Sequence, residues 1–258
     1  GFNLDINPAT AGVITDDVVT VVGTGTFNDR NVGVDKTVTV DLALRGDDAQ
    51  NYALANGTFS DTVGTITQRE SVEWVGADDA NWSDAGNWTD GAIPTGANVG
   101  TIVIPRASTS VYDSDQFGTT QSLISNSGTI RFDAVNDFTF ASVVSGDGTL
   151  EQAGSNTLTV SGNNAAYTGT LDITAGEVLI GNANALGAAP TVSGSGGTLS
   201  VGNGVTLPSL TTSGSLSLGS DIATAGAQVH GADLVLAAGN KVGETVTPLE
   251  MTAANADI

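Results

Sequence analysis

Short aliphatic pairs set two residues apart recur through the second half of the chain, and a glycine precedes many of them at a small fixed offset. The pairs stand in LTV (158–160), LDI (171–173), VLI (178–180), LSV (199–201), LSL (216–218) and LVL (234–236). The glycines stand in GTI (128–130), GTL (148–150), GTL (169–171), GEV (176–178), GTL (197–199) and GSL (214–216), many of them about 17–21 residues from the next. Aliphatics at i and i+2 share one face of a strand. Such a short strand cannot bury that face alone. Coils of about 20 residues that turn at Gly or Asn and stack on one another bury it as a continuous internal ladder. Each fully buried Leu, Ile or Val then contributes roughly 1.5–3 kcal/mol before entropy is subtracted. The expected fold is all-β: a small β-module followed by a right-handed parallel β-helix (solenoid). The competing architecture is a β-sandwich of regular hairpins, which the scarcity of two-residue hairpin turns disfavours.

Composition points the same way. Among 258 residues, 34 are Gly, while aromatics make up 5%, the balance of a chain with many short strands and tight corners. Against 28 acidic residues stand 7 Lys plus Arg, a net charge of −21. Phosphate recognition needs clustered cations, so no nucleic-acid partner and no anionic membrane surface is expected. No apolar run approaches the ~18–20 residues that span a bilayer, so no membrane insertion is expected. Cysteine is absent, which suits a chain that crosses a periplasm unfolded. Because Gly1 already lies inside patterned sequence and the pattern runs to Ile258, the chain reads as part of a longer parent.

The texture changes near Gln68–Trp74. Residues 1–69 are expected to form a small β repeat module, the first of them belonging to a preceding repeat or linker, and residues 70–258 the β-helix, with a Trp-rich opening at 74–99. In the module, alternation such as that from Lys36 to Leu44 predicts strands at 17–22, 36–44, 51–55 and 62–68. Phe27, Val38, Val40, Tyr52, Leu54 and Ile66 are its expected core.

These segments resemble known families. GTFNDRNVGVDKTVTV (25–40), GDDAQNYAL (46–54) and GTIT (64–67) resemble the YDG/MBG-type repeat of large bacterial exoproteins. WVGADDANWSDAGNWTDGAIPTGANV (74–99) resembles the opening of autotransporter and filamentous-haemagglutinin-like passengers. SGDGTLEQAGSNTLTVSGNNAAYTGTLDITAGEVLIGNANALG (145–187) resembles the autotransporter-associated strand repeat. The resemblance implies a secreted or cell-surface adhesin exported by a type V route, two-partner or autotransporter. Its implied partners are an outer-membrane transporter and a host glycan or protein receptor, or biofilm polysaccharide.

Candidate sites are few. Trp74, Trp82 and Trp88 are the three tryptophans of the chain. Exposed Trp faces stack on sugar rings, so Trp82 and Trp88 with Asp84 are the candidate ligand-binding residues, and Asp78, Asp79 and Asp90 are further hydroxyl acceptors. The alternative is a cap that covers the end of the apolar ladder. DANWSDAGNWTD (79–90) echoes a calcium loop, with Asp79, Asn81 and Ser83 at the first ligand positions, but it has Asp84 where Gly is needed and Asp90 in place of the bidentate Glu. No metal and no cofactor is therefore assigned. His230 is the one histidine, which leaves no partners for a Ser-His-Asp triad or a zinc site. Asp113 with Asp115, or Asp133 with Asp137, could form an acid–base pair of a polysaccharide-degrading enzyme. Lyases of acidic sugars need cations, however, and after Arg131 only Lys241 is basic. The expectation is a non-enzymatic binding segment, with the polysaccharide-degrading enzyme and a passive stalk as alternatives. Sequons stand at Asn56, Asn81 and Asn87.

Overall fold

The computed structural model describes residues 12–29, 31–89, 91–112, 123–219, 222–230, 234–236 and 250–251. Two compact units divide between Gln68 and Arg69.

In the first unit, β1 (Thr20–Phe27) pairs antiparallel with β2 (Gly33–Arg45), and β2 pairs antiparallel with β3 (Thr58–Ile66). The alternation of β2 is that expected of a strand with one covered face: Val38 is buried, Val40, Leu42 and Leu44 are half-buried, and Asp41 and Ala43 are exposed. The predicted core is looser than expected. Val38 is buried, whereas Phe27, Val40, Tyr52, Leu54 and Ile66 are only half-buried, because one sheet among the described residues supplies one layer and full burial requires two. Phe27 lies across Gly64, where a Cβ would stand 2.3 Å from its ring.

The predicted strand at 51–55 is absent. Ala49–Asn51 form a single 3-10 turn instead. Asp48 accepts a hydrogen bond from Val18 N–H (2.8 Å), and its own N–H donates to the Val18 carbonyl, so the segment turns back onto the start of β1 and has no strand to pair with. Tyr52 is accordingly a pin rather than a core residue: its hydroxyl donates to Asp17 Oδ2 (2.5 Å) and accepts from Ile14 N–H (2.9 Å).

The second unit is a parallel β-solenoid, and among its described residues the ladders between strands are parallel. Its first row stacks β4 (Arg69–Glu73), β6 (Val99–Ile104), β8 (Leu123–Asn126) and β11 (Val143–Ser145). The second row stacks β5 (Ala80–Asn81), β7 (Thr109–Tyr112), β9 (Thr129–Phe132), β12 (Thr149–Gln152) and β14 (Thr170–Ile173). The third stacks β10 (Phe138–Phe140), β13 (Thr157–Val160) and β15 (Glu177–Ile180). The long strands β16 (Thr191–Val201) and β18 (Leu210–Leu218) then run through the second and third rows in one piece. Smaller pieces continue the stack: β17 (Thr206–Leu207) on β19 (Ala223–Thr224), and β20 (Gln228–His230) and β21 (Leu234–Leu236) on β18. This parallel pairing excludes the hairpin sandwich.

Inward side chains stack coil on coil. Ile130, Leu150, Leu171 and Val192 form one buried column, and Leu158, Val178 and Leu199 another. The recurring glycines have a steric cause. A Cβ on Gly128 would stand 2.4 Å from the Pro105 carbonyl oxygen, on Gly148 2.4 Å from that of Gly128, and on Gly169 1.8 Å from that of Gly148. Glycine is required there because adjacent coils touch backbone to backbone.

Candidate functional site

The Trp-rich opening is an aromatic plug at the first coil of the solenoid. Trp74, Trp82 and Trp88 are 1%, 1% and 2% exposed. Trp88 meets Trp74 edge-on at 5.1 Å and Trp82 at 4.6 Å, and Trp82 meets Tyr112 at 5.1 Å. Tyr112 in turn contacts Phe132 and Phe140, which lie 4.9 Å apart, so the contacts run from the first coil into the ladder. Trp88 Nε1 donates to the Trp82 carbonyl (3.0 Å). The backbone around Trp88 runs antiparallel beside the free edge of β4: Val75 N–H donates to Asn87 and Thr89 N–H to Glu73. An end coil otherwise leaves its ladder and its strand edge open to water, and this segment covers part of both.

The structure places two of the candidate ligand-binding residues against the ladder and the third in a turn. Trp82 and Trp88 present no ring face to solvent on which a sugar could stack, because their faces cover the ladder. Asp84 is exposed, but its Oδ1 accepts Gly86 N–H (2.8 Å) at the start of the short turn Ala85–Asn87. Nor does the calcium-loop echo converge. Asp79 is paired with Arg131 (2.5 Å), and the Asn81 carbonyl accepts Asn87 Nδ2 (2.9 Å) and Asp84 N–H. Asp90 lies outside the described residues. Asp78 Oδ1 accepts Thr109 N–H, which ties the first coil to the second. Among the described residues, no group of three or more His, Asp or Glu is placed to hold a metal ion.

Other acidic residues act in turns. Asp133 and Asp137 are exposed, and Asp137 Oδ1 accepts Thr157 N–H (2.7 Å) from the next coil. Asp113 and Asp115 lie outside the described residues. His230 is in β20, in register with Thr212. Arg131 bridges three coils through Asp79 and Glu151 (2.9 Å).

Two features escape the sequence reading. Asn164 is fully buried: its Oδ1 accepts Val144 N–H (2.8 Å) and its Nδ2 donates to the Ala185 carbonyl (2.7 Å), joining three successive coils. Asn126 likewise accepts from Gly128 N–H and donates to the Thr149 carbonyl. Their signal is an Asn at the corner just before a Gly-Thr strand start, in NSGT (126–129) and NAAYTGT (164–170). The second feature is a column on the outer face, where Thr109, Thr129, Thr149, Thr170, Thr191 and Thr211 stand in register. Strand spacing sets successive members of the column about 4.8 Å apart along the backbone.

Residues 3–59 match the YDG domain. The match begins ahead of the residues that carry the repeat-like motifs and ends within β3, so it takes in residues that the sequence reading gave to a preceding repeat and stops short of GTIT (64–67). The YDG domain thus falls within the first unit, and the solenoid lies outside the match. Comparison with curated proteins and with solved structures finds no match.

Proposed function

We propose that this chain is a non-catalytic structural and binding segment of a secreted bacterial surface adhesin, exported by a type V route and used to attach to host cells, surfaces or biofilm matrix. The threonine column carries the reading: a regular row of outward hydroxyls across six stacked strands is a surface suited to broad, shallow contact with a glycan or a protein. A YDG domain joined to a β-solenoid is compatible with a surface segment. Among the described residues, Asp78 and Asp137 serve as inter-coil acceptors and Asp84 as a turn acceptor, which supports it. The excess of acidic over basic residues suits a chain kept soluble and laterally separate outside the cell.

Binding of the purified chain to immobilised polysaccharides and to cultured host cells tests the reading, with Thr149→Val and Thr170→Val combined as the variant. Binding to at least one surface that weakens severalfold in the variant is the expected result. Equal binding by the variant assigns contact to another face. Release of reducing ends from a polysaccharide would overturn the non-catalytic reading in favour of an enzyme on the solenoid.

A further inference from the structure

The chain carries two Asn-Gly dipeptides, Asn56-Gly57 and Asn203-Gly204. A glycine following Asn presents its nitrogen with no side chain in the way, so such a pair can close on itself, the nitrogen attacking the Asn side-chain carbon Cγ. Closure requires the peptide plane between the two residues to rotate until that nitrogen faces Cγ. Whether a pair reacts in a folded chain therefore depends on what holds its plane.

Asn203-Gly204 is held, although both residues are exposed. The pair forms the centre of a type II turn, with Gly204 at φ +76° and Val205 N–H donating to the Gly202 carbonyl (3.0 Å). The flanking residues are fixed to the solenoid: Gly202 N–H donates to the Ile180 carbonyl (2.8 Å), Val205 packs against the core, and Thr206 opens β17. Rotating the plane breaks the turn bond. The related acidic pair Asp147-Gly148 is closed as well, because Gly148 N–H donates to the Asn126 carbonyl (3.0 Å) and Asp147 is paired with Arg106 (2.7 Å).

Asn56-Gly57 lacks each of these restraints. It is exposed and lies between the 3-10 turn and β3. The Asn56 carbonyl and the Gly57 N–H are the two polar groups of the plane, and neither has a hydrogen-bond partner among the described residues. The backbone of residues 53–56 likewise makes no hydrogen bond among them. Gly57 has open space where a Cβ would stand. The nearest anchor lies beyond the reacting atoms, where the Gly57 carbonyl accepts Leu42 N–H (2.8 Å).

We infer that Asn56 is a site of spontaneous deamidation in the folded chain and that Asn203 is protected from it. Gly57 N bonds to Asn56 Cγ and gives up its proton. The Cγ–Nδ2 bond breaks, and ammonia leaves with the bonding pair and that proton, so a five-membered succinimide remains. Water then opens the ring. Attack at Cγ gives aspartate, and attack at the main-chain carbonyl carbon gives isoaspartate, whose backbone runs through Cβ and Cγ and is one carbon longer. The unbonded residues 53–56 take up the added length, and either product places a new negative charge directly before β3. The reaction needs only water and the folded chain, so it stands independently of the function proposed above.

The test keeps the purified chain in warm, mildly alkaline buffer made with heavy-oxygen water and follows uptake of the heavy oxygen by peptide mass spectrometry. Synthetic peptides of residues 52–60 and 199–207 are treated in parallel. Asn56 in the folded chain is expected to convert at a rate within about threefold of its peptide, and Asn203 at least about tenfold more slowly than its own. Both aspartate and isoaspartate form at Asn56. Gly57→Ala fits the open space, with φ outside the left-handed region, and slows conversion at Asn56 severalfold because the added methyl crowds the attacking nitrogen. An Asn56 that stays intact in the folded chain while its peptide converts overturns the inference, as does a peptide that itself stays intact. Equal rates at Asn203 in chain and peptide overturn the protection. Conversion to aspartate alone, undiminished in Gly57→Ala, assigns direct attack of water on the amide and refutes the ring closure.

Discussion

Alanine at Gly169 puts a methyl carbon where the stacking of coils leaves no room for one. Its Cβ would stand 1.8 Å from the Gly148 carbonyl oxygen and 2.7 Å from the Tyr167 ring. To reach ordinary contact the two backbones must separate by more than about 1 Å. The Gly148 carbonyl accepts from Tyr167 Oη at 2.8 Å and from Thr170 N–H at 3.3 Å, and that displacement breaks both bonds. Each is worth about 1 kcal/mol, and a buried carbonyl left unpaired costs about 1–3 kcal/mol more. The expected loss is about 3–5 kcal/mol, a large share of the roughly 5–15 kcal/mol that stabilises a typical domain. Urea unfolding of the full chain, followed by far-ultraviolet circular dichroism and by Trp fluorescence, reads it as a lower midpoint at unchanged slope. All three Trp lie in the first coil, so a fluorescence midpoint that moves with the dichroism shows that the stack unfolds as one unit. Gly196→Ala is the control, because the nearest atom to its Cβ is the Thr174 carbonyl oxygen at 3.5 Å, an ordinary contact. Its expected change is within about 1 kcal/mol. A Gly169→Ala chain as stable as the control would refute the close-stacking account of the recurring glycines.

Asn164→Ala is expected to cost about 2–4 kcal/mol, since it strands the buried Val144 N–H and Ala185 carbonyl; a loss below about 1 kcal/mol in urea unfolding would show that the corner re-forms its bonds. Trp88→Ala removes two edge-on ring contacts and the bond to the Trp82 carbonyl and should cost about 3–5 kcal/mol, with increased proteolysis confined at first to the first coil. Arg131→Met removes a partly exposed ion pair to Asp79 and one to Glu151; about 1 kcal/mol is expected, shrinking in high salt, and a salt-independent loss would locate the effect in packing. Burial holds the Tyr112 and Tyr167 hydroxyls protonated well above the ordinary tyrosine range, and the hydrogen bond to Asp17 raises Tyr52. For groups raised on folding, the stabilisation is complete below the unfolded-state value near 10 and is lost as pH climbs from there towards the folded-state values. Tyrosinate absorbance of the folded chain should therefore stay low near pH ~10 while urea-unfolded chain titrates; coincident titrations would refute this.

The Gly-Thr-Leu and aliphatic i, i+2 units made the solenoid readable from sequence, because a side chain that points inward in one coil must be matched by another in the next. The same rule hid how the units are shared out. Leu171 and Val178 look like members of one series, but the first lies in the second row and the second in the third. Sequence distance alone does not say which strands of a coil face the same neighbour. The strand assigned to 51–55 failed for a different reason: its residues alternate well enough, yet the Asp48 bonds to Val18 turn that segment away from any partner.

The candidate site shows the same limit. Three Trp within one short segment announced either a sugar-stacking surface or a cap, and nothing local separates the two, since an indole ring covers an apolar ladder as readily as it covers a pyranose. Residue pattern by itself determined the strand class, the coil period, the glycine corners and the change of texture at the boundary near Gln68, because these follow from local backbone geometry and from the alternation of side chains. Tertiary structure decided the rest: which rows the strands join, that the tryptophans turn their faces inward, that Asn164 ties three coils together, and that six threonines from separate coils form one outward column. Those depend on contacts between residues about 20 positions apart, and stacking, rather than the chain's local preferences, brings such residues together.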